Sequence, residues 1–332
     1  MRAPILVFLA AMIGAACAPA APPSEPKARL AAATPADAVR GPLKRKQRLE
    51  YDIRGRAFPL PIVRGSVAGF PTLFLVDTGA NSHVIAGWLA RKLGLPMKKL
   101  GDIGTDHVGK TIAAFRIDRP ELALDEWGPL DRGPVLAAEV PEVIEKLGIG
   151  GFVSPQRLVE EGDSVILDLA GGEIRSAWWD EALYALSASG TTLVVADQSR
   201  ACEEAEGPIK GLAFVVPATI ESNRVELLVD TGAQHSDLFA GSAAGQKLLP
   251  ASVPNKEPMY TASGKISARK LRGARVGSGA YAITSDVDLI TGAADASCAR
   301  DGVLAMDVLR SCALLLGRQR LYARCLDRGE KK

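Results

Sequence analysis

An excess of charge of either sign is missing from this chain: 40 Lys and Arg face 38 Asp and Glu across 332 residues, a formal net charge of +2. With both signs interspersed, nothing marks a nucleic-acid partner. The one basic cluster, Lys44 to Arg48, sits in a polar lead-in and reads as a solvated linker. Histidine is scarce. His83, His107 and His235 have no metal-ligand spacing, so no metal centre is expected. No glycine-rich phosphate loop is present, and no cofactor is expected. No Ser or Cys stands in a nucleophile motif such as Gly-x-Ser-x-Gly, which argues against the elbow-type hydrolases. Aromatics make up only 5% of the residues, and the pair Trp178-Trp179 reads as packing rather than a ligand platform. The N-terminal apolar run, Ile5 to Ala16, is too short to span a bilayer.

That run follows Met1-Arg2 and fits a secretory signal over residues 1–17. Cys17, behind Ala15-Ala16, is similar to the lipidated cysteine of bacterial lipoproteins, although Gly14 stands where a Leu or Val is usual; plain signal cleavage nearby is the alternative. Either way the chain is expected to be exported, to a periplasmic or cell-envelope location. Residues 18–49, rich in Ala, Pro, Lys and Arg without an apolar period, read as a flexible tether. Four further cysteines, Cys202, Cys298, Cys312 and Cys325, allow two disulfides in an exported chain, or four free thiols. A hairpin turning at Gly317 to Arg320 would set Cys312 opposite Cys325 and leave Cys202 with Cys298.

After residue 50 the chain repeats itself. Phe58 to Ala80 and Leu212 to Ala233 align without a gap on Asp77 and Asp230. Each gives an apolar strand, a short turn (Ala68-Gly69; Glu221-Ser222-Asn223) and a second strand running into Asp-Thr-Gly-Ala. Downstream, Gly109-Lys110 and Gly264-Lys265 look like matching hairpin tips. Ile149-Gly150 aligns with Leu304-Ala305, and short helical stretches follow at Pro155 to Glu161 and Asp307 to Ser311. The expected architecture is a mainly β, bilobal duplication. One lobe spans 50–185 and the other 208–326, with a connector at 186–207 that contains the strand-like Thr192 to Ala196.

A carboxylate ending an apolar strand is costly to bury unless it is used. The glycine after each Asp-Thr lets the backbone turn and brings its amide to the carboxylate, and each threonine hydroxyl can reach the partner loop. Two such loops about a local two-fold bring the carboxylates together. They then share a proton, one pKa rises, and the pair serves as general base toward water and general acid toward a carbonyl. A single Asp-Thr-Gly can be a turn used for its geometry alone; two, behind matched strands, argue for the carboxyl pair.

This pattern resembles the retropepsin-like and pepsin-like aspartic peptidases over most of the chain after residue 50. The resemblance implies an acid-protease fold and catalytic Asp77 and Asp230, with Thr78, Gly79, Thr231 and Gly232 in support. Ala80 and Ala233 are similar to the retroviral and bacterial branch, which implies a less acidic optimum than pepsin's. Ser236 matches a small hydroxyl residue of the family, whereas His83, at the equivalent place, departs from it. Gly109, Lys110, Tyr260 and Gly264 are the flap candidates. Ala305, standing for a family glycine, puts close packing there in question. The expectation is a monomeric, exported endopeptidase acting on polypeptide, with an N-terminal lipid as its membrane attachment if Cys17 is modified. The alternatives are an inactive binding protein on the same scaffold and a sugar hydrolase using two carboxylates.

Overall fold

The computed structural model describes residues 45–80, 82–105, 111–118, 120–130, 135–161, 164–188, 191–194, 200–202, 213–256, 259–261, 264–292, 299–317 and 319–326. All belong to the unit Gly41–Lys332. The expected signal segment, Cys17 and the tether as far as Lys44 lie outside the described residues. The chain is mainly β with barrel-like sheets, in keeping with an acid-protease-like fold.

Two sheets share one succession of neighbours. In the first, Arg56–Val67 forms a hairpin with Phe70–Val76, which runs parallel to Ile149–Val153. That strand is antiparallel to His83–Ala86, which is parallel to Val135–Ala138, itself antiparallel to Thr111–Ile117. In the second sheet the same directions recur through Ala213–Ile220, Asn223–Val229, Gly302–Leu304, Asp237–Phe239, Tyr281–Ile290 and Ala268–Ser278.

Local sequence explains the opening hairpins. Val67 pairs with Phe70 across Ala68 and Gly69, whose φ values of 48° and 75° suit the tight turn that matches strand twist. In the second sheet Ile220 pairs with Asn223, so the loop is only Glu221-Ser222; Asn223, expected in the turn, opens the strand. Each second strand ends in three buried apolar residues, Phe74-Leu75-Val76 and Leu227-Leu228-Val229. Burying such side chains contributes about 1.5–3 kcal/mol each, which fixes where the following Asp emerges.

The strands beside them need a correction. Val153 pairs with Val76 and Leu304 with Val229. The structural counterparts are therefore Gly151 to Ser154 and Gly302 to Ala305, not Ile149-Gly150 and Leu304-Ala305. The close approach is made at Gly151 and Gly302. A Cβ there would meet Val84 O at 2.1 Å and Asp237 O at 2.0 Å. Ala305 stands opposite Ser154, so no glycine has been replaced.

A six-stranded antiparallel sheet joins segments far apart in the chain, in the order Lys46–Arg48, Glu173–Ala177, Ser164–Asp168, Cys312–Gly317, Leu321–Cys325, Thr191–Val194. It revises the expected tether. Lys46 and Arg48 face solvent while Gln47 between them is buried, its Oε1 accepting from Glu126 N (3.0 Å), and Leu49 is buried too. The period-two pattern makes this an edge strand rather than a solvated linker. The connector is also structured: Thr191–Val194 closes this sheet, and Arg200–Cys202 pairs with Ala213–Val215, so the second sheet begins before residue 208. Ala196 lies outside the described residues.

Cys312 and Cys325 are register partners, buried and disulfide-bonded. The bond spans 13 residues, a loop whose closure contributes about 3 kcal/mol in the chain-entropy account. Replacing both cysteines with alanine is expected to lower the urea midpoint accordingly with little change in slope; an unchanged midpoint would mean the bond adds no stability. Of Cys202 only the backbone is described, and Cys298 lies outside the described residues.

Candidate active site

The carboxyl groups of Asp77 and Asp230 emerge where their strands end. Asp77 N donates to Val153 O (2.9 Å) and Asp230 N to Leu304 O (3.0 Å), so each loop stays fastened to the neighbouring parallel strand. The next residues lock the loops to each other. Thr78 N donates to Thr231 Oγ1 (3.1 Å) and Thr231 N to Thr78 Oγ1 (3.0 Å). The same hydroxyls donate to the opposite strand ends, Thr78 Oγ1 to Val229 O (2.7 Å) and Thr231 Oγ1 to Val76 O (2.6 Å). Both threonines are fully buried, so all four bonds are shielded from water.

The glycines complete the pairing. Gly79 N (2.8 Å) and Ala80 N (3.0 Å) donate to Asp77 Oδ1, and Gly232 N donates to Asp230 Oδ1 (2.7 Å). A Cβ on Gly79 would stand 2.7 Å from Asp230 Cγ, and one on Gly232 2.6 Å from Asp77 Cγ. Each glycine therefore lies against the opposite carboxyl group. Asp77 is pushed well above the ordinary carboxylate range by burial, then by the charge of Asp230 and a hydrogen bond to it; the Ala80 and Gly79 amides pull the other way. Each carboxyl thus lies against the glycine of the opposite loop, and carboxyls this closely set do not both ionise readily; a sugar hydrolase instead needs its two carboxyls about 5 Å or more apart.

Behind the loops the two halves differ. Ser236 Oγ accepts from Ala305 N (3.0 Å) and donates to Asp307 Oδ1 (2.7 Å). Asp307 also accepts from Ser236 N, Val308 N and, through Oδ2, Ser285 Oγ. In the first half His83 takes the place of Ser236: its Nδ1 accepts from Ser154 N (3.2 Å). Ser154 Oγ donates to Gln156 Oε1 (3.1 Å), and Gln156 Nε2 donates to Thr78 O (2.5 Å). Ser154, Gln156 and Asp307 escaped sequence reading because their roles depend on contacts 71 to 78 residues distant; the small residue two places before each of Gln156 and Asp307 was the available signal.

Asp237 also went unnoticed. It follows Ser236, is buried, and is pushed well above the ordinary range by burial first, then by Asp230 and Asp288. His235 is half-buried, and its charge acts on Asp288. His107 lies outside the described residues. Among the described residues, no group of three or more His, Cys, Asp or Glu is arranged to hold a metal ion. Trp179 is buried against Ile166, Leu315 and their neighbours, while Trp178 is partly exposed.

The flap candidates fall differently. Gly109 and Lys110 lie outside the described residues, but the flanking strands pair up to Thr105 opposite Thr111. In the second half, Thr261 pairs with Gly264 and Tyr260 with Lys265, so Gly264 and Lys265 belong to the returning strand and are not the hairpin tip. Met259 and Ile266, paired and packed on Phe239, Ala268 and Ile290, set that register.

A family model described as Aspartyl protease matches residues 63–151, the stretch that carries Asp77-Thr78-Gly79 and runs on to Gly151. This match supports an aspartic-protease-like family and peptidase chemistry at that level. Among curated proteins, none matches the chain.

Proposed function

We propose that this chain is an exported aspartic endopeptidase in which Asp77 and Asp230 share one proton and activate a water molecule. The observation that carries the reading is the reciprocal Thr78–Thr231 lock, which sets each carboxyl against the glycine of the opposite loop. The ionised member removes a proton from water, the oxygen adds to the scissile carbonyl, and the protonated member donates to the carbonyl oxygen. Collapse of the tetrahedral species returns a proton to the leaving amine and restores the pair. Gly79, Ala80 and Gly232 amides orient the carboxyls, so little reorganisation is needed at the reacting centre.

The shared succession of strands in the two sheets supports an internal duplication, with both half-sites on one chain and a monomer as the working form. Export rests on residues 1–17 and is supported by the Cys312–Cys325 bond, which suits an oxidising compartment. A lipid on Cys17 would hold the enzyme at the envelope through the tether.

Digestion of a peptide library by the mature protein across pH 3 to 8, with and without pepstatin, tests the reading. Internal cuts that pepstatin blocks are expected, with a bell-shaped profile. Its acid side falls as the second carboxyl is protonated, and its alkaline side as the shared proton leaves. A folded protein that binds peptides yet cuts none at any pH would leave the inactive-scaffold alternative.

A further inference from the structure

The two halves of the carboxyl pair are braced by different chemistry, and the difference has a consequence. We propose that His83 is a positioning residue for Asp77, acting as an unprotonated acceptor where the other half uses a serine, so that acid releases the Asp77 loop first. This deepens the peptidase reading and rests on it.

The path from His83 to Asp77 is continuous. His83 Nδ1 accepts from Ser154 N, Ser154 Oγ donates to Gln156 Oε1, and Gln156 Nε2 donates to Thr78 O. Thr78 O and Gly79 N belong to one planar peptide unit, so fixing the oxygen fixes the direction of the N–H. That N–H donates to Asp77 Oδ1. All of His83, Ser154, Gln156 and Thr78 are buried, with no more than 3% exposure, so water cannot easily replace a lost partner.

A protonated imidazole has no acceptor. Protonation at Nδ1 would set two donors, His83 Nδ1–H and Ser154 N–H, against each other inside the core. The second half is built the other way: a carboxylate, Asp307, receives the donors there. Its serine acceptor does not titrate, so mild acid leaves that acceptor in place.

The surroundings favour neutral His83. The strands packed against His83–Ala86 are Val135–Ala138 and Ile149–Val153, which carry no titratable side chain. The charge that acts on His83 is Arg157, from the turn Pro155–Glu161. Burial, then Arg157, holds His83 down from 6.5 to about 4. The unfolded chain takes up that proton near 6.5. The stability tied to neutral His83 is therefore fully present above that pH, drains away as pH falls toward 4, and changes no further below it.

Three full-length variants test this. His83→Leu, which cannot accept, is expected to lower kcat roughly tenfold or more with KM nearly unchanged. His83→Asn, whose Oδ1 can stand in for Nδ1 but does not titrate, should restore most of kcat and move the acid limb of the profile to lower pH. The third is the double variant Asp77→Asn/Asp230→Asn, followed by NMR; it cuts nothing, and its dyad is silent. Its Gly79 and Ser154 amides should shift as His83 titrates near pH 4, and the step should vanish when His83→Asn is added. An acid limb unmoved in His83→Asn, or amides indifferent to the imidazole, would overturn the proposal. Loss of melting temperature alone in His83→Leu, with kcat intact, would do the same. A wild-type protein inert toward every peptide would remove the peptidase reading, while the amide titration would still judge the brace.

Discussion

Asp77→Asn and Asp230→Asn are each expected to lower peptide cleavage by roughly 10³-fold or more, and Asp77→Asn is expected to make the protein more stable at neutral pH. The activity loss follows from the division of labour: one carboxyl accepts a proton from water while the other donates to the carbonyl, and each such contribution is typically about 10²–10⁴-fold. The amide is nearly isosteric, and its Oδ1 can still accept from Gly79 and Ala80 or from Gly232. Because the pair acts as a unit, the double substitution should cost little more than either alone.

The stability gain has the opposite origin. Asp77 is pushed up in the folded state by burial and by Asp230. The unfolded carboxyl ionises at its ordinary value, near 3.8. The folded protein therefore binds more protons above that pH, and stability declines as pH climbs from there through the raised value. Asn at position 77 escapes this decline. Melting temperature should rise at pH 7, by roughly 2–4 °C for each kcal/mol relieved, and the advantage should disappear near pH 3.5. Calorimetry at the two pH values decides it: a variant no more stable than wild type at pH 7 would show that the carboxyls do not oppose each other.

Gly232→Ala and Gly79→Ala should also damage activity, by up to about 10²-fold, while leaving most of the fold. The added Cβ would lie 2.6 Å from Asp77 Cγ in the first and 2.7 Å from Asp230 Cγ in the second. Neither distance is tolerable, and the threonine lock prevents the loop from backing away. The carboxyl must therefore move by several tenths of an ångström. A displacement near 1 Å costs about 10²-fold in rate, and overpacking of this kind costs typically about 1–3 kcal/mol of stability. Gly241→Ala is the control, since a Cβ there meets nothing within 4 Å. Full activity in Gly232→Ala would mean that the loops do not meet as closely as the side chains require.

Much of this site was legible in the chain itself because its signals are local. A strand of apolar residues running into Asp-Thr-Gly, repeated, announces both carboxyls and the threonines that pair them. Gly317 to Arg320 announces the hairpin that sets Cys312 opposite Cys325. What could not be read is what depends on contacts far along the chain. Lys46–Arg48 looks like linker until Glu173–Ala177 is there to pair with it. The misplaced hairpin tip at Gly264 follows the same rule, since Met259 and Ile266 take their register from Phe239 and Ile290.

Sequence alone determined the two acidic loops, the glycines that admit them and the succession of short strands, because each rests on backbone freedom and side-chain alternation within a few residues. Tertiary structure alone decided that Gly151 and Gly302 are matching points of close approach, since the carbonyls of Val84 and Asp237, on neighbouring strands, leave no room for a Cβ. It also decided that His83 and Ser236 do the same work. An imidazole nitrogen and a hydroxyl look unlike each other in a sequence, but each accepts from the amide that enters the helical turn behind its loop.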